Sequence, residues 1–91
     1  MPRYLIEVPH EPDMQGCARV LEVFLLAGSH FLANADWGCM DGDHHAWLIV
    51  VVDTKEEARG IIPPAFRAEA RIVQLNAFTL AQVEELRRHH Q

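Results

Sequence analysis

GDHHAWLIVVVDTKEEARGIIPPAF, residues 42–66, is the stretch on which the fold turns. Its first half is rich in aromatic and β-branched side chains and reads as a strand over HHAWLIVVVD, residues 44–53. Thr54 followed by Glu57 is a capping box, in which hydroxyl and carboxylate each satisfy an amide left free at a helix start. Pro63-Pro64 then ends the helix, because proline lacks an amide hydrogen and drives the residue before it into an extended conformation. Strand, capped helix and proline break together make a βα unit whose next element returns to the sheet.

The neighbouring segments extend this unit in both directions. Asp41-Gly42 is a hairpin signal, so HFLANADWGCM, residues 30–40, reads as a second strand paired with the third. RYLIEVPH, residues 3–10, alternates and reads as the first strand. Pro12 and Asp13 open a helix with Cys17, Val20, Leu21, Phe24 and Leu25 on its apolar face, and Gly28 is placed to stop it. ARIVQLNAF, residues 70–78, reads as the fourth strand. Thr79 caps a last helix that would turn Leu80, Val83 and Leu86 inward, with Arg87 and Arg88 at its C-terminal end. The order βαββαβα with right-handed crossovers predicts an α+β, ferredoxin-like domain over residues 1–91. Its antiparallel sheet should run 4-1-3-2, with an extra C-terminal helix.

Residues 42–66, with their aliphatic strand, acid, capped helix and proline break, resemble the dimeric α+β barrel superfamily. That group includes muconolactone isomerase and small families of similar length. The resemblance implies a homo-oligomer closed through the sheet face and isomerase-type proton transfer on an organic acid or lactone. It carries no catalytic residue over by position.

The chain has 91 residues, 49% of them hydrophobic, enough for one modest core. A net charge of −5 argues against nucleic acid and against anionic membrane surfaces, both of which need clustered cations. Pro2 and Arg3 lead directly into a strand, so no signal peptide is expected. Cys17 and Cys39 do not make a disulfide framework and are read as thiols in a reducing cytoplasm.

Side-chain alternation distributes the polar residues. On strand three Trp47, Ile49 and Val51 point one way and Leu48, Val50 and Val52 the other, so both faces are apolar. Two helices cover one face, and a second copy of the chain is the expected cover for the other. Pairing across a two-residue Asp41-Gly42 loop puts Cys39, Trp37, His44 and Ala46 on the helix side, an assignment that a four-residue loop keeps and a three-residue bulged loop would swap. The two-residue pairing puts His45 with Gly38, Asp36 with Trp47, Asn34 with Ile49 and Leu32 with Val51 on the far side. Tyr4, Ile6 and Val8 suit the helix side, leaving Leu5 and Glu7 opposite. On strand four Val73, Leu75 and Ala77 were matched to the helices, leaving Ile72, Gln74 and Asn76 opposite. The far face would then hold Glu7, Asn34, Asp36, His45, Gln74 and Asn76 among apolar walls, the composition of a ligand cavity.

The leading expectation is a small-molecule-binding homo-oligomer without cofactor. Asp36 or Glu7 would act as base and His45 as its acid-base partner, while Asn34, Trp47, Gln74 and Asn76 hold the ligand. Nucleophilic chemistry has little material: Ser29 is the only serine, Lys55 the only lysine, and Thr54 and Thr79 are spent on caps. Cys39 beside His44 could form a thiolate pair, or be a plain hairpin-tip cysteine. An alternative is a Ni, Cu or Zn protein using Cys39, His44 and His45, with Met40, Asp41, Asp43, His10 and His30 nearby. Adjacent histidines on a strand face opposite ways, so its ligands would have to come from separate elements. A third expectation is a structural oligomer without catalysis.

Overall fold

A computed structural model describes residues 1–26 and 30–89. β1 (Arg3–Pro9) and β3 (His45–Val51) form the centre of a four-stranded antiparallel sheet. β4 (Arg71–Leu75) flanks β1, and β2 (Asp36–Trp37) flanks β3. The order β2-β3-β1-β4 is the expected 4-1-3-2 read from the opposite edge. Ile6 pairs with Leu48 on one side and Ile72 on the other, so one parity of three strands builds a continuous apolar surface.

Two helices cover that surface. α1 (Met14–Leu26) lays Val20 and Phe24 on it, while α3 (Lys55–Ile61) contributes Ala58, with Ile62 just beyond. Each large side chain buried here gains about 1.5–3 kcal/mol, which fixes which face turns inward. Local hydrogen bonds set the helix starts. The Asp13 carboxylate accepts from the Gly16 amide at 2.6 Å. Thr54 Oγ1 accepts from the Glu57 amide at 3.1 Å, and Glu57 reaches back to the Asp53 amide at 3.3 Å. Thr79 and Gln82 cap α4 (Leu80–His89) reciprocally, at 3.2 and 2.8 Å. No described helix is long and apolar enough to cross a membrane.

Three expectations are corrected. Residues 30–40 are not a long strand: His30–Ala33 form a helical turn, α2, β2 keeps two residues, and Cys39–Asp41 form a 3₁₀ turn. Leu32 goes into the core at 2% exposure instead of onto the far face, and Asn34 Nδ2 donates to the His30 carbonyl at 2.8 Å, closing the turn. Strand four has the opposite parity. Its register against β1 turns Ile72 inward beside Ile6 and puts Arg71, Val73 and Leu75 on the far side. Finally, α4 buries none of its residues, and Leu80 stands 75% exposed. Gly28, expected to stop α1, and His90 lie outside the described residues.

Candidate functional site

A polar row crosses the uncovered sheet face, which also carries Arg3 beside Val51 and Leu75. Antiparallel pairing sets Asp36 beside Trp47, Trp47 beside Glu7, and Glu7 beside Arg71, across all four strands. Directly paired residues share a face, so these four side chains emerge together. The Trp47 indole Nε1 donates to Glu7 Oε2 at 3.2 Å. His45 stacks on the Trp47 ring, with centroids 5.6 Å apart, and brings its Nε2 to 3.8 Å from Glu7 Oε1. Its other nitrogen, Nδ1, is 2.5 Å from Asp43 Oδ1. An ionised carboxylate only accepts, so Nδ1 donates to Asp43, while Nε2 faces Glu7 from 3.8 Å, beyond hydrogen-bond distance. The result is an Asp43–His45–Glu7 cluster beside an apolar floor that includes Ile49 and Val51, 57% and 50% exposed. Leu5, Asn34, Asp36, Trp47 and Ile49 line an adjoining cleft of about 320 Å³.

Hairpin geometry makes this row. The pairs Asp36–Trp47 and Trp37–Ala46 follow the expected register, although the connection is a 3₁₀ turn closed by Gly42 at φ 81°. Gly38 bends against the strand: a Cβ there would lie 2.6 Å from the Asp43 carbonyl oxygen and 2.7 Å from the Trp47 ring.

Of the expected site residues, the structure unites Glu7, His45 and Trp47. Asp36 is exposed at the cleft with Asn34, and neither bonds to His45. Gln74 is corrected: its register partner is Tyr4, so it belongs to the helix-side parity, at an exposed position. Asn76 lies past the end of β4 and is exposed. Asp43 and Arg71 were not expected on this face. Asp43 depends on the shape of the turn, and Arg71 was hidden by the parity of strand four.

The helix side of the hairpin holds a second group. Cys39 is disulfide-bonded to Cys17 of α1, which corrects the expectation of two thiols and removes the thiolate pair with His44. The cysteines therefore do not identify a reducing compartment. His10 Nε2 is 3.1 Å from Cys39 Sγ, and His10 and His44 meet edge to face at 5.6 Å. Single ligand atoms of His10, Cys39 and His44 lie within 4.8 Å of one another. His45, bound on the opposite face, is not in this group, so the expected trio of Cys39, His44 and His45 is divided by the sheet. Met40 is 91% exposed.

No family model, no curated protein and no solved structure matches the chain.

Proposed function

We propose that the chain is a ferredoxin-like, homo-oligomeric α+β barrel protein that encloses a small organic acid or lactone against its open sheet face and moves a proton on it. The observation that carries this reading is Glu7 held between the Trp47 indole and the His45 imidazole, next to the apolar side chains of Leu5, Ile49 and Val51. A carboxylate and an imidazole in that relation can exchange a proton with a bound carbon acid. Glu7 acts as the base, with His45 as its partner and Asp43 orienting the ring. Arg71, in the same row, has no ion-pair partner among the described residues and offers a cation for a substrate carboxylate. Asp36 and Asn34 bind from the cleft wall. A second chain over Ile49 and Val51 excludes the water that would otherwise compete for the proton.

Thermal-shift and ¹H NMR screening against a panel of short dicarboxylates and γ-lactones tests this. A ligand should raise the melting temperature and shift the Trp47 indole resonance. Glu7→Gln should abolish exchange of the ligand's acidic C–H with solvent deuterium, His45→Ala should weaken binding, and Asp41→Asn at the hairpin tip should change neither. A panel in which nothing perturbs Trp47, or exchange that survives Glu7→Gln, would count against the reading.

A further inference from the structure

The helix-side group has a composition that the sheet-face reading does not use. Four side chains meet where β1 ends, α1 begins and the hairpin turns: His10, Cys17, Cys39 and His44. Two sulfurs and two imidazoles are the donor set of a tetrahedral zinc site. We propose that, once the Cys17–Cys39 bond is reduced, these four residues bind a zinc ion, so that the disulfide is the closed, metal-free state of a redox-gated site.

The donors already stand near the separations zinc needs. In tetrahedral coordination with Zn–S near 2.3 Å and Zn–N near 2.05 Å, donor atoms stand roughly 3.3–3.8 Å apart. The donors of His10, Cys39 and His44 already fall within 4.8 Å of one another. Cys17 is joined directly to Cys39, so it reaches the same point. The sulfurs would have to part by roughly 1.7 Å, from a bonded pair to a coordinated one. The two Cα atoms are 6.7 Å apart, at the wide end of the disulfide range, so side-chain rotation is the first motion that parts the sulfurs.

A second observation points to a missing partner. His44 Nδ1 is buried and has no hydrogen-bond partner among the described residues. Buried polar nitrogens are nearly always satisfied, and leaving one bare is unfavourable. Metal ligation by His44, or a ring rotation that accompanies it, removes this deficit. The site is also anchored, and one of its histidines borders a cleft. The His10 amide donates to the His44 carbonyl at 3.1 Å, locking the two histidine-bearing strand ends together. His10 and Gly16, next to Cys17, line an open cleft of about 380 Å³ between α1 and the segment before β4. The cleft reaches His10, while Cys17 and Cys39 are buried at 2% and 7% exposure, so a dithiol meets the S–S bond when the hairpin or the start of α1 opens locally.

The chemistry balances with an external dithiol as reductant. The dithiol gives up two electrons and two protons and closes its own S–S bond. The Cys17–Cys39 S–S bond breaks, and the two protons go to the protein thiols. Zinc then forms two Zn–S bonds, and both protons leave to solvent. Zinc thereby replaces one covalent link between α1 and the hairpin with four coordinate bonds that also clamp β1 and β3.

Cobalt(II) is the probe that reads both geometry and ligand type. The oxidised protein, and protein reduced with dithiothreitol and desalted without oxygen, would each be titrated with Co²⁺ and then with Zn²⁺. The reduced protein should bind one Co²⁺ per chain with thiolate charge-transfer and tetrahedral ligand-field bands, and Zn²⁺ should displace it. The oxidised protein should show neither band. His10→Ala and His44→Ala should each weaken binding by about 100-fold or more, since even outer-shell losses cost 10–100-fold. In the unmutated chain Zn²⁺ should protect both thiols from alkylation, a readout that needs no variant. Absence of the charge-transfer band after reduction, unprotected thiols, or affinity indifferent to both histidines would each overturn the proposal. So would a disulfide that dithiothreitol cannot open in the folded protein.

Discussion

Gly38 has no room for a side chain, and the reason lies in its neighbours instead of its own backbone. At φ −99° its conformation suits any residue, yet a Cβ would press on the Asp43 carbonyl and on Cζ3 and Cη2 at the outer edge of the Trp47 ring. Gly38→Ala should therefore lower stability by about 1–3 kcal/mol, the usual cost of overpacking, and disturb Trp47 fluorescence. Gly42→Ala should be milder, about 1 kcal/mol, because only the left-handed backbone objects and the surrounding space is open. Urea midpoints compare the two, and an equal or reversed order would contradict this account of the hairpin. The division of Asp36, His45 and Trp47 from Trp37, Cys39 and His44 was legible in the sequence from strand alternation together with the parity of the connecting turn, since an odd-length bulged loop would have swapped the sets. The disulfide rests on two placements also legible there: Cys17 on the inner face of its helix and Cys39 on the helix side of the hairpin. What composition could not give was their meeting point, which depends on how α1 crosses the sheet. The contact between Asp43 and His45 is a product of turn geometry and had no sequence signal at all.

Among the elements, the connection from α3 to β4 is held by two arginines. Arg67 donates to the carbonyls of Ile62 and Gly60 at 2.7 and 3.1 Å, meeting acceptors left free at the end of α3. Arg59 reaches across to the carbonyls of Arg67 and Ala70 at 2.7 and 3.4 Å. Pro63 and Pro64 prevent the helix from satisfying these groups itself, so side chains do so. Arg67→Ala should cost about 1–2 kcal/mol, below the full value for charged hydrogen bonds because the site is partly exposed. Chemical denaturation measures it, and amide exchange should quicken first at Ile62. A change within experimental error would show that water replaces the guanidinium at no cost. Elements whose starts are written in local hydrogen bonds, such as the Thr54 and Thr79 caps, were readable in advance. Residues 30–40 were not, because Leu32, Asn34 and Asp36 mimic alternation while Leu32 and Ala33 are good helix formers. Strand four has apolar side chains on both parities, so only its pairing with β1 chooses between them.

At the scale of the molecule, α4 sets the shape. The radius of gyration is 16.1 Å, against about 12 Å for a 91-residue globule, and the longest dimension is 51 Å. Phe78, Leu80 and Leu86 are 62%, 75% and 46% exposed along this arm, and Ile49 and Val51 are exposed on the sheet. Apolar surface on two separate elements favours association with other copies. Sedimentation at micromolar concentration should give at least a dimer. Ile49→Asp should release single chains of unchanged circular dichroism, since position 49 is open within one chain and the proposed partner would cover it. A wild-type chain that sediments alone would remove the oligomer from the proposed function. The sheet order also has a consequence for biosynthesis. β1 sits between β3 and β4, so its two hydrogen-bonding partners arrive long after it has left the ribosome. At bacterial-to-eukaryotic elongation rates, the interval between Pro9 and Leu75 lasts roughly 3–13 s. For that time a seven-residue alternating strand waits with at least one edge unpaired. The nascent chain is thus most exposed to mispairing, and most in need of a chaperone, through the segment that ends up at the centre of the finished sheet.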